Sequence, residues 1–291
     1  MNILVIGGTR FFGIPMVHRL IERGDDVTIA TRGLAADDFG DRVKRIRLDI
    51  SDEQSARGAL NGRQYDVVID KMGYCSNEIK WILESLRCDR FIHMSTAGVY
   101  QMDHFGITED EFDGRQGELV WCDRRELPYD DVKRNAERVL CQLYPDLNWV
   151  SVRSPFVLGK NDYTRRLLFY VERTLTGRPI AVDNLDNRFS VCACNELSDF
   201  LVFLTDSTVR GPVNACAEGV ISLREILNYI EDRTGRCPRL SLEGDVAPYN
   251  GTRDNSLNTN RAKIAGFAFD DVHTWIYRLL DYYIDEVSRK L

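Results

Sequence analysis

MNILVIGGTRFFGIPMVHRLIERGDDVTIATRG, residues 1–33, decides the fold of this chain. Ile3 to Ile6 is a short apolar run, and Gly7, Gly8 and Gly13 follow it at once. Val17, Leu20 and Ile21 then recur with helical period, Gly24 closes that stretch, and Val27 to Ala30 begins a second β-branched run. Strand, glycine turn, helix and strand within about thirty residues is the layout of a dinucleotide-binding unit. Glycines let the backbone approach a pyrophosphate, and the helix start offers free N–H groups and the positive end of a dipole. An ordinary βαβ unit with a glycine-rich turn is the bland alternative.

Working outward, VKRIRLDI (43–50) reads as a strand ending at Asp49, and Ser51 to Asn61 as a polar helix. YDVVID (65–70) is a fully buried strand, Ser76 to Leu86 a helix with Ile79, Ile82, Leu83 and Leu86 on one side, and RFIHMST (90–96) the next strand. Tyr129 to Tyr144 is helical and NWVSVRS (148–154) extended. This alternation predicts an α/β fold, a Rossmann-type doubly wound parallel sheet, over residues 1–154. From Pro155 the character changes. One helix lies around Thr164–Thr176, another follows Ser222 as N-cap, and a last one runs from about Val272 to Val287. Residues 155–291 read as a smaller, mostly helical substrate-binding portion over the carboxyl edge of the sheet, with part of the sheet completed from it.

At 291 residues, 44% hydrophobic and 29% charged, the chain has the composition of a soluble globular protein. A net charge of −7 argues against a nucleic-acid partner. No apolar run reaches membrane length, and no signal peptide is read ahead of the first strand. The eight cysteines form no C-x-x-C pair; Cys192 and Cys194 alone are close, on one face if extended. No metal site is expected. Buried thiols in a reduced, cytoplasmic protein are the simpler account.

The chemistry-bearing pair is Tyr129 and Lys133 in LPYDDVKRNAERVL. Four residues of spacing put both on one helix face. An ammonium beside a phenol favours the phenolate, and a phenol able to lose its proton near neutral pH serves as a general acid or base for alcohol–ketone chemistry. Alone, Tyr-x-x-x-Lys is weak.

Taken in order, the glycine turn, MSTAGVY (94–100), YDDVK and VRSPFVLG (152–159) resemble the extended short-chain dehydrogenase/reductase superfamily, in its NAD(P)-dependent epimerase/dehydratase branch. DNRFSV (186–191), GPVNAC (211–216), SLREI (222–226) and NRAKIAGF (260–267) extend the resemblance over nearly the whole chain. It implies a catalytic group of Thr96, Tyr129 and Lys133, with Ser95 as the second-ranked hydroxyl. Thr96 would bond the substrate oxygen, Tyr129 would pass it a proton, and Lys133 would hold the nicotinamide ribose. A strand-end Thr capping backbone is the bland reading of Thr96. The resemblance also implies pairing of two copies through the helix that carries Tyr129. Where the family's turn usually has glycine, this chain has Arg10. The form GGTRFFG resembles an atypical subgroup that includes chloroplast stem-loop RNA-binding proteins. Arg10 then has two readings, a phosphate contact or a solvated side chain.

The expected cofactor contacts are Gly7, Gly8, Thr9, Arg10, Phe11, Phe12 and Gly13 in the turn, Thr31 and Arg32 after the second strand, Asp49 and Ile50 on the adenine side, and Lys71 and Lys133. Thr31 stands where an acidic residue would bind the ribose of NAD, and Arg32 follows it, so NADP is preferred and NAD is the alternative. Asp70 and Lys71 read either as an internal ion pair or as lining of the site. His93 reads as a hydrogen-bonded core residue, and Asp110, Glu111 and Asp113 as a solvated loop.

The resemblance places Ala97 and Gly98 where 4,6-dehydratases carry an acidic pair, which argues against dehydration. Tyr74 and Cys75, in the loop after the fourth strand, are expected to border the nicotinamide, with Tyr74 a candidate substrate contact. Arg188 resembles an arginine that pairs with a nucleotide-sugar diphosphate, with Arg253 second. Arg188 as a surface ion pair is the alternative, and Phe156 stands where epimerases commonly have Asn. The expected function is an NAD(P)-dependent oxidoreductase or epimerase acting on a nucleotide sugar or related polar alcohol or ketone. The alternatives are a reductase of a non-nucleotide small molecule, or a cofactor-binding regulatory or RNA-binding protein of the same fold.

Overall fold

Strand β1 (Asn2–Ile6) is apolar on both faces, and in the computed structural model, which describes residues 1–291, it lies at the centre of a parallel sheet. Ile3 pairs with Val27 of β2 (Asp26–Thr31) on one side and with Val67 of β4 (Gln64–Asp70) on the other. Helix α1 (Gly13–Arg23), β3 (Lys44–Arg47), α2 (Glu53–Leu60), α3 (Ser76–Ser85), β5 (Arg87–Met94), α4 (Tyr129–Leu143) and β6 (Trp149–Arg153) follow in chain order. With β11 (Gly211–Asn214) at one edge, the sheet order is β11-β6-β5-β4-β1-β2-β3, so the strand order reverses between β1 and β4. Ligands of open α/β sheets bind beyond the strand ends at such a point.

The remaining helices and strands are β7 (Phe156–Leu158), α5 (Arg166–Thr176), β8 (Ile180–Ala181), β9 (Arg188–Phe189), β10 (Val191–Ala193), α6 (Cys194–Leu204), β11 (Gly211–Asn214), β12 (Ile221–Ser222), α7 (Leu223–Thr234), β13 (Asp245–Val246), α8 (Asn260–Ile264) and α9 (Ile276–Ser288). Two of them are additions to the sheet. β11 pairs in parallel with β6 as the seventh strand, and α6 packs beside α1 in the core containing Val17, Leu20, Leu197 and Phe200. A second sheet face is covered by α2, α3 and α4 through Leu60, Ile79, Ile82 and Val139. α5, α7 and α9 enclose a separate core with Tyr170, Ile226 and Leu280. Ser222 caps α7 as its position predicts, in a capping box with Glu225. Cys194 opens a helix rather than continuing an extended segment, so its thiol does not share one strand face with Cys192. No helix is long and apolar enough to cross a membrane.

Candidate active site

The chain leaves β1 through two residues that require glycine. Gly7 and Gly8 have φ of 99° and 98°, a region closed to most side chains. Gly13 is needed for another reason: a Cβ there would stand 2.7 Å from the Gly8 Cα. The first turn of α1 carries no acidic residue and no side-chain cap, but its amides are not free as expected: Gly13 and Ile14 donate to the carbonyls of Arg10 and Phe11 at 3.0 Å, and Pro15 has no N–H. From this turn a groove runs over the carboxyl ends of β1 and β2, lined by Gly7, Gly8, Thr9, Arg10, Thr31, Arg32, Asp49 and Ile50. Asp49 accepts from the Ser51 amide at 3.1 Å and hydroxyl at 2.7 Å. Those bonds, with Arg32 and Arg124 nearby, hold its carboxyl below the usual range. Neither Arg10 nor Arg32 forms an ion pair with the protein. A cradle that a Cβ would fill and guanidiniums without a carboxylate partner fit a dinucleotide.

Asp70 and Lys71 do not pair; the strand end sends them to opposite sides. Asp70 turns into the core, where Met72 and Gly73 amides donate to it. Lys71 lines both the groove and the cleft beyond it. Its ammonium donates to the Arg10 carbonyl at 3.2 Å and lies 4.0 Å from the centre of the Phe12 ring. Burial pulls it down to about 8.

The cleft has a volume of about 700 Å³, the size of a small-molecule site. Thr96, Tyr129 and Lys133 all line it, with Tyr74, Phe11 and Phe12. Thr96 sits just past β5, and its hydroxyl accepts from the Gly98 amide at 3.2 Å, so the capping role is realised within the cleft. Ser95 is committed elsewhere: its hydroxyl donates to buried Glu137 at 2.5 Å. Tyr129 is the first residue of α4, half exposed, with its ring 6.2 Å from that of Tyr74. Lys133, one turn on, is 2% exposed. Its ammonium donates to the Gly73 carbonyl at 3.0 Å and the Met94 carbonyl at 2.7 Å, and lies 4.5 Å from the Tyr74 ring centre.

The expected acid–base balance of this pair is corrected by the structure. Partial burial, reinforced by the Tyr74 phenol, pushes Tyr129 up to about 12, against the opposing effect of the Thr96 hydroxyl. Burial draws Lys133 down to about 8, with Asp70, Glu78 and Glu137 resisting. Helical spacing places both side chains in the cleft lining, but the ammonium is held by the Gly73 and Met94 carbonyls and the phenol is shifted toward its protonated form.

Residues 3–78 match the model of the NAD dependent epimerase/dehydratase family. Over the whole chain the fold is similar to UDP-glucose 4-epimerase from Thermus thermophilus in complex with NAD, at 18% identity, TM-score 0.69, covering 97% of this chain and 99% of that one. It is likewise similar to UDP-glucuronic acid 4-epimerase from Bacillus cereus with NAD (17%, TM-score 0.72, 99% and 97%) and to the Thermotoga maritima UDP-glucose 4-epimerase with UDP-glucose (18%, TM-score 0.74, 100% and 99%). A curated relative, the chloroplast stem-loop binding protein of 41 kDa b from Arabidopsis thaliana, is 28% identical over 198 residues, 63% of this chain and 49% of that protein. The chain thus spans about half the length of the curated relative it matches.

The far end of the cleft is lined by Phe156, Arg166, Phe189, Arg253 and Asn255. Arg253 is at the rim, largely exposed, 3.9 Å from Asp103. Arg188 is not brought there. It opens β9, and its guanidinium lies over the Phe105 ring at 4.9 Å, in a separate depression beside Glu218 and Leu257. Alternation along the strand sends Phe189 to the cleft and Arg188 away from it. Sequence reasoning missed Arg166, whose guanidinium lies 5.2 Å from the Phe156 ring centre, and Arg124, which reaches the Met72 carbonyl at 2.7 Å at the groove edge. Neither carries a motif; each sits in a loop or helix start that only tertiary folding brings to the site. Asn255 is buried in the lining with its Oδ1 unpartnered.

Proposed function

We propose that this chain is an NAD(P)-dependent oxidoreductase or epimerase acting on a nucleotide sugar or a related polar alcohol or ketone. The observation that carries the reading is the convergence of Thr96, Tyr129 and Lys133 on one cleft joined through Lys71 to the glycine-turn groove. The bound nicotinamide supplies the hydride acceptor and donor. Gly7, Gly8 and the turn before α1 hold its diphosphate, Asp49 and Ile50 border the adenine side, and Lys133 takes the ribose. Thr96 and Tyr129 hold the substrate oxygen. With its proton retained, the phenol acts first as a general acid toward a carbonyl oxygen, and it serves as base in the reverse direction. Its place at the first turn of α4 favours the phenolate when that form is needed.

Thr31 and Arg32 favour NADP over NAD, since a 2′-phosphate meets a free guanidinium and no carboxylate at that position. Ala97 and Gly98 supply no acid–base pair for dehydration. Arg253 is the stronger candidate for a substrate diphosphate and Arg188 the weaker, on their positions in and out of the cleft. A homodimer through α4 remains part of the proposal. RNA binding is favoured by the name of the Arabidopsis relative, and the net charge of −7 weighs against it.

The test is a fluorescence titration with NADP and NAD, followed by turnover on UDP-sugars and on simple ketones. We expect tighter NADP binding, and for Tyr129→Phe a loss of turnover of about 100- to 10,000-fold with cofactor affinity retained. Full turnover in Tyr129→Phe, or no dinucleotide binding, refutes the reading.

A further inference from the structure

We propose that Asp70 is a positioning residue that fixes the Lys133 ammonium in place and keeps it charged. The proposal rests on the reading of Lys133 as the cation of the active site. Asp70 ends β4 and is fully buried, and a buried carboxylate needs hydrogen bonds and a counter-charge.

The hydrogen bonds come from the loop that follows. Asp70 Oδ1 accepts from the Met72 amide at 3.0 Å and from the Gly73 amide at 2.7 Å. The carbonyl of the same Gly73 receives the Lys133 ammonium at 3.0 Å. Residue 73 must be glycine for this, because a Cβ would collide with Asp70 Oδ2. The carboxylate therefore folds the loop, and the loop presents the carbonyl. An ammonium has three protons. Two go to the carbonyls of Gly73 and Met94, which leaves one for the cleft.

The counter-charge follows from elimination. Charged groups face Lys133 from every element packed against it: Asp70 from β4, Glu78 from α3, His93 from β5, Glu137 from α4 itself and Arg124 from the loop before α4. Glu78 is paired with Arg124, and Glu137 with Arg153 at 2.6 Å. Asp70 has no arginine. Its nearest basic group is His93 Nδ1 at 3.4 Å, and burial holds that imidazole toward its neutral form. The Lys133 ammonium reaches this carboxylate through the Gly73 peptide, whose amide donates to Asp70 and whose carbonyl accepts from the lysine. Among the groups that keep this lysine protonated against burial, Asp70 has the strongest effect.

The experiment titrates Lys133 in the full-length chain by NMR with 13Cε-labelled lysine, its resonance assigned with Lys133→Met. The wild-type midpoint is expected near 8, and Asp70→Asn should lower it by about one pH unit or more, a tenfold loss of proton affinity. Asp70→Glu should restore it to within about 0.3 units. Should Asp70→Asn not fold, Asp70→Ser carries the same expectation. An unchanged midpoint in a folded Asp70 variant overturns the proposal. NADP and NAD affinities are measured on the same samples. If wild type binds neither while the Lys133 midpoint still moves, the functional reading fails and the Asp70–Lys133 coupling stands.

Discussion

The groove that starts at Gly7 takes nearly all of its lining from residues 6–51, whereas the cleft beyond Lys71 is lined by residues as distant as Phe11, Tyr74, Tyr129, Phe156 and Asn255. The first region is made largely of backbone: positive-φ glycines, a helix start and strand ends. The second is made of side chains from separate loops, each delivered by a different element. Backbone sites follow from local chain geometry, while side-chain sites depend on the packing that carries each segment to its place. A buried strut lies at the end of β6, on the side of the sheet away from the groove. Arg153, at the end of β6, donates to Glu137 of α4, to the Tyr100 hydroxyl and to the carbonyls of Glu109 and Phe112.

Breaking that strut should have the largest effect. Glu137→Gln leaves the Arg153 charge buried without its partner, at a cost of about 3–5 kcal/mol in urea unfolding. Burial alone would raise the Glu137 carboxyl, but Arg153 and Ser95 override it and hold it below 4.5. A depressed carboxyl contributes stability above its unfolded value and loses it as pH falls through the folded one. Wild-type stability should therefore decline below about pH 4.5, and the variant should lack that part of the decline. A loss under about 1 kcal/mol would mean the strut does not tie β6 to α4, the helix that carries Tyr129 and Lys133.

Next in size is Gly13→Val, which drives a side chain against the Gly8 Cα and the Lys71 ammonium. Dinucleotide affinity should fall about 100-fold with circular dichroism unchanged. Retained affinity would show that the groove is not built by backbone approach.

The smallest effects lie in the side-chain region. Arg253→Ala should raise KM for a UDP-sugar about tenfold, and Arg188→Ala should leave it within about twofold. The reverse ranking would show that Arg188 leaves the Phe105 ring to reach substrate.

The legible part of the molecule matches the first region. Alternating apolar runs and glycines located β1 to β6 and their helices to within a few residues, because each element's burial pattern is written in its own period. Helix α6 and strand β11 went unread. Cys194–Leu204 is apolar on most of its surface, having the sheet on one side and Phe267 and Phe269 on another, so it lacks the stripe that marks a surface helix. Gly211–Asn214 contains both Gly and Pro, which argue against a strand; Pro212 is tolerated there because β11 is the sheet edge.

By itself the sequence determined the βαβ opening, the doubly wound sheet and the shared helix face of Tyr129 and Lys133, since all three depend on spacing along the chain. Only the tertiary structure decided which arginines reach the cleft, that Ser95 serves Glu137 while Thr96 faces the cleft, and that burial leaves the phenol protonated. Orientation and desolvation arise from neighbours distant in sequence, and no local pattern encodes them.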